Sequence, residues 1–222
     1  MVYQLKMKNR VPLFGQMSDF TCGSCATLMV WKYFDRKVQL SKRNEFLIWT
    51  EIAALPFKFS SPYRIAEFFI KRGFETKLVM KQEEVSEEIT LLECCQADPT
   101  ERKLFVNFFK AYNRILRRRL KSTIIDKIPT LNDIRKALSN RSLVIVLVDS
   151  YHTAKVRGAH DPPHLPHWVV ITGGENKKFH INDSAQECGL SSGKIIMEGP
   201  ILSKAMNTYS RFGWSSALIS IH

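Results

Sequence analysis

The sequence predicts an α+β fold in which N-terminal helices pack on a mainly antiparallel C-terminal sheet. Three segments carry this expectation. Ser24 to Phe34 is apolar on nearly every face, as a central buried helix must be. Leu143 to Val148 is an unbroken apolar run rich in β-branched residues, the mark of a central strand. Trp168–Thr172 and Lys178–Ile181 flank Gly173-Gly174-Glu175-Asn176, which is the spacing of a hairpin.

The remaining elements follow from local signals. Ser41 caps a second helix running through Phe46, Leu47, Trp49 and Ile52. Ser61-Pro62 supplies an N-cap and first helical position, and Gly73 a stop, so a helix is expected over 62–72. Phe74 to Met80 then reads as a short strand. Residues 83 to 122 are charged and amphipathic: Pro99 separates two helices, and Phe105, Phe108, Phe109, Tyr112, Ile115 and Leu116 mark one apolar face. This block, extending to about 128, reads as a helical insertion in a single domain spanning 1–222, either covering a cleft or packing on the core. Thr130 to Leu138 is a helix with a Thr cap. Gly158 to His167 holds three prolines and must be an irregular loop. A helix around Ile201–Met206 and a strand over Ser215–Ile221 complete the pattern.

At 222 residues the chain suits one domain, and 45% hydrophobic with 24% charged residues is ordinary for a globular protein. No apolar run approaches the roughly 18 residues of a membrane span. Met1 to Pro12 lacks the apolar block of a signal peptide, so a cytoplasmic location is expected. The five cysteines, at 22, 25, 94, 95 and 188, form no secreted framework, and reduced thiols are the default. The net charge of +12 admits an acidic protein substrate, nucleic acid, an anionic membrane surface or simply a basic surface. Its dense cluster, Arg114, Arg117, Arg118, Arg119 and Lys121, wraps around a helix instead of forming one stripe, which disfavours nucleic acid.

The chemistry concentrates in two places. Gln16-Met-Ser-Asp-Phe-Thr-Cys22-Gly puts a thiol at the start of a buried helix, where the macrodipole favours the thiolate. Gly23 leaves room for a carbonyl, and the Cys22 N–H with the Gln16 side-chain amide can donate to an oxyanion. His167 opens one strand of the expected hairpin, and Asp183 follows the other sixteen residues later. That spacing sets an imidazole beside a carboxylate able to fix its tautomer. Cys22 is the candidate nucleophile, His167 the base and Asp183 its orienter. Asn182 and Ser184 shape the turn at Asp183, Asp161 is a reserve carboxylate, and Trp168 and Trp49 could border a cleft.

The order Gln-x5-Cys-Gly, an apolar helix, His-Trp-Val-Val-Ile-Thr-Gly and Ile-Asn-Asp resembles the C39-like cysteine peptidases. Leu47-Ile-Trp49, Ser61-Pro62-Tyr and Lys71-Arg72-Gly73-Phe74 resemble a stand-alone branch of that family. The resemblance covers 11–80 and 140–185, and implies a papain-like fold with Cys22, His167, Asp183 and Gln16 as catalytic residues. It also implies a peptide or protein substrate and no cofactor. Relatives that trim double-glycine leaders are fused to a transporter; this chain lacks such segments, so a double-glycine leader is one substrate among several. Thr21 and Ser24 depart from the Asp and the Pro or Ala that many relatives carry there.

Two other readings compete. Cys22-Gly-Ser-Cys25 is also a CxxC motif, suited to thiol–disulfide exchange or half a zinc site. Exchange proteins place that motif after a strand, which Gln16 to Thr21 does not resemble; zinc would draw on His160, His164, His167 and Cys188. A catalytically silent module binding a peptide or an acidic protein through its basic surface is the alternative to an enzyme.

Overall fold

A computed structural model describes residues 11–81, 98–186, 191–208 and 216–222. Its centre is a seven-stranded sheet in the order β2-β1-β7-β3-β4-β5-β6. The strands are β1 (Thr76–Met80), β2 (Ile124–Asp126), β3 (Leu143–Asp149), β4 (Pro166–Glu175), β5 (Lys178–Asp183), β6 (Gly193–Glu198) and β7 (Ala217–Ile221). Only β1 and β2 run parallel; every other neighbouring pair is antiparallel. The α+β expectation holds, with one refinement: helices cover both faces of the sheet.

On one face lie α1 (Cys22–Phe34), α2 (Lys42–Ile52), α3 (Pro62–Ile70) and the end of α4 (Pro99–Arg119). Their core joins Leu28, Met29, Ile65, Phe69 and Leu116 to Ile145, Val170 and Ile219 of the sheet. The opposite face carries α5 (Leu131–Ser139) and α7 (Gly199–Asn207), whose Ile134, Leu202 and Met206 meet Val146, Val169 and Ile181. Strand β3 is buried along its whole length because both layers need it. A period-2 alternation therefore could not appear in its sequence.

Caps set the ends of several helices. Ser41 accepts the Asn44 N–H at the start of α2, and Thr130 with Asp133 forms a capping box on α5. Gly73, at φ +84°, ends the stretch after α3, a backbone state that side chains disfavour.

Four features depart from expectation. Gly173 and Gly174 lie inside β4, where a bulge shifts the register between Ile171 and Gly173. The turn falls three residues later, at Asn176-Lys177, both with positive φ as a two-residue hairpin turn requires. Second, a short helix, α6 (Ser150–Val156), follows β3 directly, capped by Asp149. Third, β2 and β6 add short edge strands. Fourth, the apolar residues of α4 do not share one face. Phe109 and Leu116 are buried, whereas Phe108 and Ile115 point to solvent. Phe105 and Phe109 pack on Ala54, Phe57 and Phe59. The first of the two helices expected over 83–122 lies outside the described residues.

Candidate active site

Cys22 is the first residue of α1, and Thr21 before it makes no side-chain cap. The Thr21 hydroxyl donates instead to the Ser18 carbonyl at 2.9 Å and to Glu45 Oε1 at 2.5 Å. The leading amides of α1 thus receive no oxygen from the Thr21 side chain. Glu45, wholly buried on α2, also accepts the Met17 N–H at 2.8 Å. This carboxylate anchors both ends of the 17–21 loop that delivers the thiol.

His167 and Asp183 come together as the hairpin predicts, though diagonally. The register Val170↔Asn182 sets Asp183 next to Val169, two residues from His167 on the same face. His167 Nε2 and Asp183 Oδ1 are 2.7 Å apart, and both side chains are buried. The Cys22 side chain lies close enough to the same imidazole to favour its charged form. Sulfur, imidazole and carboxylate, from α1, β4 and β5, thus share one buried site.

The electrostatics reinforce it. Burial disfavours the imidazolium, but the Asp183 charge and hydrogen bond, with a smaller contribution from Cys22, raise the His167 pKa to about 10. Burial likewise disfavours the Asp183 carboxylate, yet His167, the Ala185 N–H and Arg157 hold it well below the usual range.

Gln16 reaches the same place from the N-terminal side. Its N–H donates to the Ser184 carbonyl at 2.9 Å, and the Ser184 hydroxyl donates back to Gln16 Oε1 at 3.0 Å. That fixes the amide with Nε2 donating to the Ser18 carbonyl at 3.1 Å, one of its two N–H bonds. Asn182 holds the approach: its Nδ2 donates to the carbonyls of Val11 and Pro12. Ser184 and Asn182 therefore do more than shape a turn.

Sequence reading missed Arg157. At the C-terminus of α6, its Nη1 lies 3.0 Å from Asp183 Oδ2, and Nη2 donates to the carbonyls of Ala185 and Ser191. A lone arginine just before Gly158 carries no motif, and α6 itself was not evident. Glu45 was missed for a similar reason, sitting within a helix whose other features are ordinary.

The other candidates fall elsewhere. Asp161 and His160 are exposed on the 158–165 loop. His164 pairs with Asp149 at 2.6 Å and stacks on Tyr151. Among the described residues, no group of three or more His, Cys, Asp or Glu is placed to hold a metal; Cys94, Cys95 and Cys188 lie outside them. Trp168 is buried, with Cδ1 3.1 Å from where a Cβ on Gly23 would sit, so it walls the site beside Cys22. Trp49 donates to the Lys58 carbonyl and packs on Phe20. In the basic cluster, Arg119 is spent on Glu67 at 2.7 Å. No helix among the described residues is long and apolar enough to cross a membrane.

A family model described as the Peptidase_C39 like family matches residues 11–219, nearly the whole chain. The chain belongs to this family. Among solved structures, a putative C39-like peptidase from Bacillus anthracis matches with a TM-score of 0.52 at 9% identity. That match covers 97% of this chain and 96% of the other. The peptidase domain of Streptococcus ComA, a bi-functional ABC transporter involved in quorum sensing, matches with a TM-score of 0.44 at 13% identity. It covers 95% of this chain and 97% of the domain. The Bacillus match shows a shared fold at an identity too low to transfer residue roles. Comparison with curated proteins finds no match.

Proposed function

We propose that the chain is a cysteine peptidase or amide hydrolase of a single domain, with Cys22 as nucleophile. His167 takes the thiol proton, and the thiolate attacks the scissile carbonyl. His167 then protonates the leaving amine, and water releases the acyl group. Asp183 keeps the imidazole oriented and its charged form stable. The Cys22 N–H and the free N–H of the Gln16 amide receive the oxyanion. No cofactor enters these steps.

The observation that supports this most is the buried His167–Asp183 pair at 2.7 Å, with the Cys22 side chain near the same imidazole. A structural histidine at a strand end would have little use for two such partners. Family membership supports a peptide substrate, and the net charge of +12 supports a preference for acidic segments in it.

The test is turnover of a peptide library by the reduced chain and by Cys22→Ala. Turnover in the parent and none in Cys22→Ala is the expected result. Cleavage that persists in Cys22→Ala overturns the assignment. Peptide binding without turnover in the parent would instead support a silent binding module.

A further inference from the structure

Hydrolysis leaves the second cysteine of Cys22-Gly-Ser-Cys25 unused, and a buried carboxylate stands beside it. The two cysteines occupy the first and fourth positions of α1, about one turn apart on the same side of the helix. Cys22 retains slight exposure at 7%, whereas Cys25 has none. Glu45 receives both of its N–H and O–H donors, from Met17 and Thr21, on Oε1, and Oε2 receives neither kind. The Thr21 carbonyl accepts the Cys25 N–H at 2.9 Å while the Thr21 hydroxyl holds Glu45, which brings the carboxylate to the inner cysteine. Burial first, then the Glu45 charge, hold that thiol protonated far above the ordinary cysteine range. A slightly exposed thiol beside His167, a fully buried thiol one turn further on, and a buried carboxylate beside the second make a complete dithiol site.

We infer that Cys22 and Cys25 form a reversible redox site, in which peroxide oxidises Cys22 and Cys25 resolves it as an intrahelical disulfide with Glu45 as base. The Cys22 thiolate attacks a peroxide oxygen; the S–O bond forms, the O–O bond breaks, and hydroxide leaves as water after gaining a proton. Cys25 gives its proton to Glu45, and its sulfur attacks the Cys22 sulfur. The S–O bond breaks, and the departing hydroxide takes up that proton as a second water. The dithiol loses two electrons and hydrogen peroxide gains them. An external dithiol reverses the step by attacking the more exposed Cys22 sulfur. This blocks the thiol while protecting it from irreversible oxidation. It requires the Cys22–His167 pairing but not that the site cleave any peptide.

The test uses the full chain with Cys94→Ser, Cys95→Ser and Cys188→Ser as background, treated with hydrogen peroxide and read by intact mass and peptide mapping. The expected product has lost two hydrogens, carries a Cys22–Cys25 link and returns to the starting mass with dithiothreitol. Adding Cys25→Ser should let dimedone trap a sulfenic acid on Cys22, and excess peroxide should carry that residue on to sulfinic acid. Glu45→Gln should slow closure of the disulfide by about tenfold or more beyond any change in Cys22 alkylation in the same variant, and should change its pH dependence. Sulfinic acid on Cys22 beside an alkylatable Cys25 in the parent, or a Cys22 that peroxide leaves reduced, overturns the inference. Closure at the parent rate in Glu45→Gln overturns the role of the carboxylate. Should that variant not fold, Glu45→Asp, which keeps a carboxylate but shortens its reach by one methylene, should slow closure by a smaller factor, and closure at the parent rate there overturns the role of the carboxylate. All these outcomes are independent of whether any peptide is cleaved.

Discussion

Arg157 and Asp183 form a buried ion pair at 3.0 Å, and it engages the carboxylate oxygen that His167 does not use. With Oδ1 on the imidazole and Oδ2 on the guanidinium, the carboxylate cannot rotate. The cation also helps to hold the Asp183 carboxylate charged. Arg157 is thus a positioning residue for the base.

Replacing Arg157 by Gln should lower turnover about tenfold with little change in KM, because the imidazole loses its fixed orientation. With a nearby positive charge gone, the alkaline limb of the rate profile should move to higher pH. A purely structural arginine would leave that limb in place. Arg157→Leu should also cost about 3 kcal/mol in urea denaturation, since it strands a buried carboxylate. A loss below about 0.5 kcal/mol would mean that the pair contributes little.

Gln16 and Ser184 should behave as donor and support. Gln16→Ala removes one oxyanion donor and should cost about 3 kcal/mol of transition-state stabilisation, seen in kcat more than in KM. Ser184→Ala frees the amide without deleting it, so a smaller loss of about 1 kcal/mol is expected. The double variant should be no worse than Gln16→Ala alone. Additive losses would show that Ser184 acts by another route.

The pH dependence follows from the two shifted groups. His167 is raised to about 10, so its contribution to stability is complete below the unfolded value of about 6.5 and is lost as pH climbs towards 10. Asp183 is depressed, so its contribution is present above the unfolded value of about 4 and disappears in acid. Urea midpoints should therefore peak between these limits, and Asp183→Asn should flatten both flanks. Hydrolysis should fall as pH rises through about 10, because the imidazolium that protonates the leaving amine is lost. Iodoacetamide labelling of Cys22 should not fall there. If both decline together, His167 is not acting as the acid.

These expectations rest on parts of the site that the sequence exposes unequally. Cys22, His167 and Asp183 were legible because each sits at an element boundary marked by local signals: an apolar helix, a strand start, a strand end; Gln16, in the loop before α1, was read from its place six residues before Cys22. Arg157 was hidden because Ser150–Val156 is too short for helical periodicity to register. Glu45 was hidden because burial of a carboxylate depends on tertiary partners, Thr21 and Met17, that lie more than twenty residues away in the chain. The hairpin was found but its turn was misplaced. Two glycines outweighed Asn176-Lys177, and a bulge inside β4 absorbed the difference. The paired residues still met because diagonal neighbours on one face lie within reach of long side chains.

Gly23 offers the sharpest steric prediction. A Cβ there would lie 2.4 Å from Ser60 Oγ, 2.5 Å from Ser60 Cβ and 3.1 Å from Trp168 Cδ1. Ser60 is buried, and Trp168 directly follows His167, so relief must come from elements that frame the site. Gly23→Ala should cost about 1–3 kcal/mol of stability. It should also slow Cys22 alkylation, because α1 is pushed away from β4. Ser60→Gly removes both of the closest atoms, and combining it with Gly23→Ala should recover most of the loss in stability and labelling. A double variant as impaired as Gly23→Ala would mean that the glycine serves the approach of a substrate and not the packing of Ser60.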